Sequence, residues 1–427
     1  MIDPERMTYD VCIIGAGMAG MAAALFAANR GLSTVQTGGA SELLFASGLL
    51  DLLGVHPIEQ KRTWRDPWAG IKALIRDIPQ HPYARIKNEH VRSAFDELQV
   101  FLDGSGLVYK RHKRRNQEVV TSMGTAKLTY CLPLTMWKGP MAFKKRTPCL
   151  VVDFKGLKGF SARQISETVA QKWPNVTFVR LEFPGLEAFS EVYAERIARA
   201  LEVAQNREKL AQSIRPHLGG AEIVGLPAVL GVKGSAEVMD DLERRIGVPL
   251  FEIPTMPPSV AGVRLKEAFE QHLPLKGVKL LFPLQVLRAR YIKQGIFVLD
   301  IGDTEKKLSV RARGLVLATG RFVGQGLHAD RFGIRETLFN LPVHQPQSRL
   351  HWHAQDFWDP KGHPINRAGL EIDDCFRPLD KTGKCAFRTL FAAGSILAHQ
   401  DWIRMKCGSG LAIASAYAAV NCLLKLI

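Results

Sequence analysis

The chain has 427 residues, 46% of them hydrophobic, and a formal net charge of +16, a composition typical of a globular protein with more than one folding unit. The excess of Lys and Arg favours an acidic partner, an anionic substrate, nucleic acid or an anionic membrane surface, without distinguishing among them. The seven cysteines are dispersed and form no CxxC pair, which argues against a bound iron–sulfur cluster or a zinc ribbon.

A glycine-rich turn lies close to the start of the sequence. The short apolar run Val11–Ile14 leads into Gly15-Ala16-Gly17-Met18-Ala19-Gly20 and then into an Ala-rich helical segment. Between a strand and a helix, the GxGxxG spacing is typical of a turn that holds the phosphates of a dinucleotide. The first glycine permits the turn, the second lets a phosphate approach the backbone, and the third lets the helix pack closely on the strand.

The next strand, Leu32–Thr37, completes a βαβ unit and ends in Gln36-Thr37-Gly38-Gly39. Dinucleotide-binding folds usually place an acidic residue here to hold a ribose hydroxyl. Its absence weakens the case for NAD and for the adenosine half of FAD. Further along, the pair Ser47-Gly48 interrupts an apolar run where the chain is expected to return toward the cofactor.

The middle of the chain has a different pattern of predicted secondary structure. Asp66–Gly104 is predicted to be mainly helical, and the basic run Lys110–Arg115 is typical of an exposed hairpin tip, with a docking patch as the alternative. Residues 147–254 alternate strand and helix patterns, including a long predicted helix over Leu186–Ile214. This alternation predicts an inserted α/β domain.

Two further landmarks lie near the C-terminus. A buried strand ends in Ala318-Thr319-Gly320, and another apolar run ends in Gly394-Ser395 before a final helix that starts near Gly408. Together with the first turn they describe a flavoprotein, in which a second helix N-terminus can stabilise the reduced flavin ring. The Ala, Ser and Gly content of Gly408–Leu424 favours a buried helix over a membrane span.

We therefore predict an α/β protein with a Rossmann-type two-domain flavoprotein fold. Its cofactor domain is split between the N- and C-terminal parts of the chain, around an inserted α/β domain. The predicted segments are residues 1–60 for the first part of the flavin-binding domain, 61–146 for helices and the basic loop, 147–256 for the inserted domain, and 257–427 for the second part with a small sheet.

Over nearly its full length the chain resembles the B subunit of the anaerobic glycerol-3-phosphate dehydrogenase. The likeness is carried by the segments Phe45–Leu53, His81–Tyr83, Pro254–Leu265, Leu317–Gly320, Phe332–Glu336, Arg377-Pro378, Phe391–Ser395 and Gly408–Ala419. The sequence departs from the family's glycine-rich closing loop, where Lys406-Cys407 and Ser409 interrupt the glycines.

The resemblance implies a flavoprotein subunit that binds FMN, with FAD as the alternative. Its partners would be a catalytic subunit carrying FAD and an iron–sulfur subunit that anchors the complex to the membrane. The implied reaction oxidises sn-glycerol 3-phosphate to dihydroxyacetone phosphate and passes electrons to quinone. The implied location is cytoplasmic, peripheral on the inner membrane. The predicted cofactor contacts are Gly15, Ala16, Gly17, Ala19, Gly20, Thr37, Ser47, Gly48, Thr319, Gly320, Gly394, Ser395, Gly408 and Gly410.

Oxidation of an alcohol needs a base for the hydroxyl proton and cations for the phosphate. We predict His399, Arg404 and Arg335 as catalytic residues. His399 could take the hydroxyl proton or hydrogen-bond the flavin, and Arg404 could attract the phosphate or stabilise the reduced flavin. Other arginines near the landmarks fit a structural ion pair at least as well, namely Arg264, Arg321 and Arg377. No metal site is predicted, because the pair His351 and His353 has no evident third ligand.

Two other functions are compatible with the residues. A basic flavoprotein could modify nucleic acid, but the run Lys110–Arg115 contains no interleaved aromatic residues of the kind that bind single strands. No nucleic-acid partner is therefore expected. A non-catalytic, flavin-binding electron-relay subunit is the other alternative, and the sequence does not separate it from an active enzyme.

Overall fold

The structure is a computed structural model that describes residues 8–39, 41–292 and 295–427. The helices are α1 (Met18–Asn29), α2 (Pro67–Asp77), α3 (Asn88–Gly104), α4 (Gly139–Lys145), α5 (Ala162–Val169), α6 (Ala194–Leu201), α7 (Ala204–Ile214), α8 (Ser235–Ile246), α9 (Val260–His272), α10 (Trp402–Met405) and α11 (Gly408–Leu424). The strands are β1 (Thr8–Ile14), β2 (Thr34–Thr37), β3 (Tyr109–Arg111), β4 (Gln117–Val120), β5 (Ala126–Thr129), β6 (Cys131–Pro133), β7 (Cys149–Phe154), β8 (Val176–Leu181), β9 (Ile223–Pro227), β10 (Leu250–Ile253), β11 (Lys279–Leu280), β12 (Gln285–Ile292), β13 (Ile296–Gly302), β14 (Lys306–Leu317), β15 (Leu327–Asp330), β16 (Gly333–Glu336), β17 (Val343–His344), β18 (Gly369–Leu370) and β19 (Leu390–Ala392).

The chain divides into two compact units. Unit 1 comprises Met1–Glu42, Asp51–Leu98 and Phe269–Ile427, and unit 2 comprises Leu43–Leu50 and Gln99–Ala268. These limits differ from the predicted segments: residues 61–98 belong to unit 1, whereas residues 43–50, 99–146 and 257–268 belong to unit 2. The core of unit 2 explains part of the difference, since it includes Val120 and Phe143. Residues 1–7 and 40 of the predicted first segment and 293–294 of the last lie outside the described residues.

The main sheet of unit 1 brings the predicted landmarks to one edge. Within the described ranges it has seven strands in the order β11-β2-β1-β14-β13-β12, with β19 beside β14. The strands β1, β2, β14 and β19 are parallel, and Ile14 pairs with Thr37 and Leu317, which in turn pairs with Ala392. Their carboxyl ends therefore coincide, at the edge where open α/β sheets bind ligands.

Helix α11 is buried over most of its length, as predicted. In unit 1 its Tyr417 packs edge-on against Phe26 of α1, with ring centroids 5.2 Å apart. Both helices are rich in alanine, and such small side chains allow close helix packing. Among the described residues, no helix combines the length and apolar character that crossing a bilayer requires.

Unit 2 contains its own parallel sheet, in the order β10-β9-β7-β8. This confirms the α/β rhythm predicted for the middle of the chain. The single long helix predicted over Leu186–Ile214 is wrong. Residues 186–193 are not helical, and the rest of the segment forms α6 and α7. The two helices are separate because Val203 between them has an extended backbone with φ −89° and ψ 122°.

Candidate active site

The three glycines of the first turn meet different surroundings. A Cβ atom added to Gly15, whose φ is +134°, would lie 2.0 Å from the carbonyl oxygen of Ala318. A Cβ atom on Gly20 would lie 2.0 Å from the carbonyl oxygen of Gly15. A Cβ atom on Gly17 would meet only Oε2 of Glu42, at 3.9 Å. The fold therefore requires glycine at the first and third positions, whereas the space beside Gly17 is open to a ligand.

The N-terminus of α1 faces this open space without a side-chain cap. Gly17 is its N-cap residue, and its first turn contains no acidic residue. The first N–H groups of a helix carry a partial positive charge and have no partner within the helix. This arrangement is a ready anion site. Ala19, in the first turn of α1, has a packing role. A Cβ atom on Gly394 would lie 2.6 Å from the methyl carbon of Ala19.

The last two side chains of β2 are buried and make hydrogen bonds to backbone carbonyls. The side-chain Nε2 of Gln36 donates to the carbonyl of Gly15 at 2.8 Å, and the Thr37 hydroxyl donates to the carbonyl of Leu284 at 2.6 Å. Both side chains are fully buried. Thr37, a predicted cofactor contact, thus already uses its hydroxyl proton in joining β2 to a neighbouring segment.

The second turn lies opposite the first. Gly320 has φ +69°, and a Cβ atom there would lie 3.6 Å from both Oε1 of Glu42 and Oγ of Ser395. The hydroxyl of Thr319 is buried without a hydrogen-bond partner in the described structure. Gly17, Gly320, Ser395 and Glu42 therefore surround one space, which we call the turn cleft.

The turn cleft fits a flavin phosphate in two respects. The side of Gly17 is open, and the N-terminus of α1 is uncapped. Glu42 is the discordant residue, because a carboxylate repels a phosphate. Burial raises the pKa of Glu42 above its usual value, which reduces the cost of protonating it.

Arg321 follows the second turn and holds the neighbouring loop. Its Nε donates to the carbonyl of Ser395 at 2.7 Å, and Nη2 donates to Gln400 at 2.9 Å and to Leu397 at 3.3 Å. Its Nη1 donates to the carbonyl of Asn366. Burial lowers the pKa of Arg321 to about 10. Because its guanidinium is engaged with backbone carbonyls, Arg321 is a structural residue.

The same loop carries His399, which meets two residues that sequence reasoning missed. Its Nε2 lies 2.7 Å from Oε1 of Glu371, and the ring centroids of His399 and His344 are 4.2 Å apart. Nδ1 of His344 lies 3.5 Å from the same Glu371 oxygen. The hydrogen bond from His399 lowers the pKa of Glu371. We call these three residues the histidine cluster.

The geometry of the histidine cluster suits two kinds of chemistry. A carboxylate bonded to an imidazole can orient it and stabilise its protonated form, as a general base requires. The ligand atoms also lie within 4.8 Å of one another, a spacing that a metal ion could use. His351 and His353, for which no metal role is predicted, do not belong to this cluster.

The two predicted catalytic arginines occupy different places in unit 1. Arg404 lies on α10, and its Nη1 is 3.3 Å from Oδ2 of the buried Asp401. Arg335 lies on β16 of a two-stranded hairpin, with its side chain 58% exposed and Nη1 4.0 Å from Asp330. Arg404 thus lies only five residues after His399, whereas Arg335 lies on a hairpin that does not carry any residue of the histidine cluster.

Two other arginines form structural ion pairs. In unit 2, the buried Arg264 and Glu252 make a two-bond contact at 2.7 and 2.8 Å. In unit 1, Arg377 pairs with Asp373 at 2.7 Å. Each guanidinium already has a carboxylate partner, so both contacts favour the structural role that the sequence allows for these arginines.

Three other predicted cofactor residues, Gly48, Gly408 and Gly410, have packing contacts. Ser47 and Gly48 belong to unit 2, where the carbonyl of Gly48 accepts from the Tyr109 hydroxyl at 2.9 Å. A Cβ atom on Gly408 would lie 2.8 Å from the ring of Trp402, and one on Gly410 would lie 2.6 Å from the carbonyl oxygen of Asp51. Gly408 and Gly410 therefore allow the start of α11 to pack closely against Trp402 and Asp51 in unit 1.

The chain is similar to curated proteins along almost its whole length. It is 29% identical to the B subunit of the anaerobic glycerol-3-phosphate dehydrogenase of Vibrio vulnificus strain YJ016, over 97% of this chain and 96% of the relative. It is 29% identical to the protein of the same name from Yersinia pseudotuberculosis, over 96% of each chain. The resemblance expected from the sequence is thereby confirmed.

Among solved structures, the chain is similar to a 3-ketosteroid delta1-dehydrogenase from Sterolibacterium denitrificans. The identity is 12%, the TM-score is 0.44, and the alignment covers 98% of this chain and 100% of the other.

A family model described as an FAD binding domain matches residues 10–411. This match confirms the predicted flavoprotein class. It supports FAD, the predicted alternative, and does not support FMN as the first choice. The chain belongs to the FAD binding domain family.

Proposed function

We propose that this chain is the flavoprotein subunit of an anaerobic glycerol-3-phosphate dehydrogenase. It would oxidise sn-glycerol 3-phosphate to dihydroxyacetone phosphate and pass the electrons toward quinone. The observation that carries this proposal is the 29% identity to a B subunit of that enzyme over 97% of the chain. Two features of the structure support it: the turn cleft is suited to an anion, and the histidine cluster contains a candidate base.

Oxidation of the secondary alcohol removes a proton from oxygen and a hydride from carbon. When bound, the flavin supplies the hydride acceptor. In this proposal Nδ1 of His399 takes the hydroxyl proton, because Nε2 is the nitrogen that donates to Glu371, and Glu371 stabilises the resulting imidazolium through that 2.7 Å hydrogen bond. Glu371 also fixes the orientation of the ring, since a bonded imidazole loses rotational freedom.

A phosphate-bearing substrate needs a cation. Arg404 is our first choice, because it lies five residues after His399 and its side chain is 30% exposed. A guanidinium can hold phosphate through two parallel hydrogen bonds. Arg335 is the second choice, and its exposed side chain would need to contact the substrate from the hairpin.

For the cofactor, we infer FAD in line with the family match. The absence of an acidic residue at Gln36-Thr37 is the feature that favours FMN. Acid release of the flavin followed by mass measurement separates the two. A mass matching FMN alone would overturn the choice of FAD and leave the flavoprotein assignment intact.

For partners, the relatives' shared designation as one lettered subunit of a dehydrogenase supports assembly into a complex. We propose two further members, a catalytic subunit that carries FAD and an iron–sulfur subunit that anchors the complex peripherally to the cytoplasmic face of the membrane. The net charge of +16 supports contact with an acidic partner or anionic lipid. Such association should weaken as salt rises.

The test is anaerobic reduction of the assembled complex. Flavin absorbance should bleach on addition of sn-glycerol 3-phosphate, and glycerol should serve as the control that lacks the phosphate. To assign the bleaching to this chain, the same measurement is made on a complex whose catalytic partner lacks its FAD. Reduction only when that partner is loaded would replace this proposal with the electron-relay alternative, and no reduction in either complex would overturn it.

A further inference from the structure

The turn cleft contains one feature that conflicts with phosphate binding. Glu42 places its Oε2 3.9 Å from the Cβ position of Gly17, and its Oε1 3.6 Å from the Cβ position of Gly320. A Cβ atom on Gly324 would lie 3.0 Å from that Oε1 atom. The carboxylate therefore projects between the two glycine turns, on the open side of Gly17.

Two segments approach this carboxylate, residues 16–20 and 318–324, and Ser395 lies beside the same Gly320 position. In residues 16–20, 318–324 and 393–396, only Arg321 is charged. Its guanidinium donates to backbone carbonyls, including those of Ser395 and Gln400. The electrostatic balance at the cleft thus pairs the dipole of α1, which attracts an anion, with Glu42, which repels one.

We propose that Glu42 controls the affinity of the turn cleft for the phosphate of a flavin, so that the phosphate binds together with a proton on Glu42. The proposal rests on membership in the FAD binding domain family and is independent of the oxidation of glycerol 3-phosphate. Burial already favours the neutral form of Glu42. A bound phosphate would favour that form further, by adding a like charge nearby.

Linkage fixes the sign of the effect. If binding takes up a proton, flavin affinity rises as the pH falls through the range in which Glu42 titrates. FAD is the suitable probe, because its diphosphate keeps a constant charge near neutral pH, whereas a phosphate monoester such as that of FMN titrates near pH 6. Riboflavin has no phosphate and therefore serves as the matched ligand control.

The experiment measures the binding of FAD and riboflavin to the apo-protein by flavin fluorescence between pH 5.5 and 8.5. Glu42→Gln should bind FAD about tenfold more tightly at high pH, the effect of one pKa unit, and should lose most of the pH dependence. Its riboflavin affinity should be unchanged. Glu42→Ala should shift FAD binding in the same direction, and Glu305→Gln on the exposed surface controls for net charge.

Three outcomes would overturn the proposal. Weaker FAD binding by Glu42→Gln would show that the carboxylate accepts a hydrogen bond from the ligand. Unchanged FAD binding would show that it does not face the phosphate, and an equal change for riboflavin would place the effect elsewhere on the flavin. A protein that binds FAD as expected but is not reduced by glycerol 3-phosphate would contradict the proposed function alone.

Discussion

Nε2 of His399 lies 2.7 Å from Oε1 of Glu371, although 28 residues separate the two in sequence. The backbone at His399 has φ +62°, and its N–H donates to the carbonyl of Arg367 at 3.0 Å. An unusual backbone conformation is kept only where its surroundings fix it. The ring of His399 is therefore held in place from both its backbone and its side chain.

Replacing this base should separate catalysis from cofactor binding. We expect His399→Ala to keep its flavin while the rate of flavin reduction by substrate falls by about 10²–10⁴-fold. Glu371→Gln should lower the rate less, because the imidazolium loses its carboxylate partner while the ring itself remains. Stopped-flow flavin reduction measures both.

Asp374→Asn removes an exposed carboxylate near Glu371 in sequence and is the control for that series. Wild-type rates in His399→Ala would remove His399 from the mechanism. A stoichiometric divalent cation in the purified protein, lost in His344→Ala, would instead assign the histidine cluster to metal binding.

The two arginine candidates make different kinetic predictions. A guanidinium that holds the substrate phosphate contributes about 1.5–3 kcal/mol through charged hydrogen bonds, so Arg404→Ala should raise KM by about 10–150-fold. Arg335→Ala tests the second candidate in the same assay. A rise in KM for Arg335→Ala alone would reverse our order of preference, and no rise in either would reject both.

Gly17 offers a test of the turn cleft that leaves the fold intact. Its Cβ position is open, so Gly17→Val should fold while its side chain occupies the path of the phosphate. We expect flavin affinity to fall at least about tenfold, or about 1.4 kcal/mol, as measured by fluorescence titration. Gly104→Val places the same side chain on another helix-end glycine with open surroundings and should bind flavin normally.

The pair formed by Arg264 and Glu252 should affect stability. Removing one partner of a buried ion pair leaves an uncompensated charge, so Arg264→Met should cost about 3–5 kcal/mol in urea unfolding. The double variant with Glu252→Leu should recover much of this loss, since it leaves no buried charge. An elevated KM with unchanged unfolding would instead give Arg264 a substrate-binding role.

His81 should make the protein sensitive to acid. Burial lowers the pKa of His81 to about 3, from a usual value of 6.5, so below pH 6.5 the unfolded state binds more protons. Stability should then fall with decreasing pH, at up to about 1.4 kcal/mol per pH unit. Its Nδ1 accepts from the N–H of Tyr83, and His81→Asn retains an acceptor there while removing the titration.

Urea midpoints between pH 7 and pH 5 measure this effect, and the exposed His217→Asn is the control. Equal acid sensitivity in the wild type and His81→Asn would show that another group is responsible.

The sequence predicted the parts of the site that local chemistry determines. The turn Gly15–Gly20 and the strand ending at Gly320 are recognisable because each needs particular residues at fixed spacings. The register of β1, β14 and β19 then brings their ends together, as parallel sheets require. One edge of the sheet is thus formed by segments that lie hundreds of residues apart in the sequence.

Other residues escaped prediction because their roles arise only from long-range contacts. Glu371 and His344 lie on segments with no recognisable motif, and the fold alone brings them to His399. Glu42 begins a 3₁₀ turn, Glu42–Phe45, after the end of β2 and has no local signature of a position between two glycine turns. The break at Val203 was missed because helical periodicity continues on both sides of it.

The pairing of β1 with β14 also sets an order for assembly on the ribosome. Thr8–Ile14 has one partner nearby in sequence, β2, but its other partner strand ends at Leu317, and β19 follows at Leu390–Ala392. The N-terminal strand therefore waits for some three hundred residues before the sheet can close, and such distant contacts form slowly. Until then its apolar surface is exposed to aggregation and available to chaperones. Expression at a lower temperature should consequently improve the yield of protein that binds flavin.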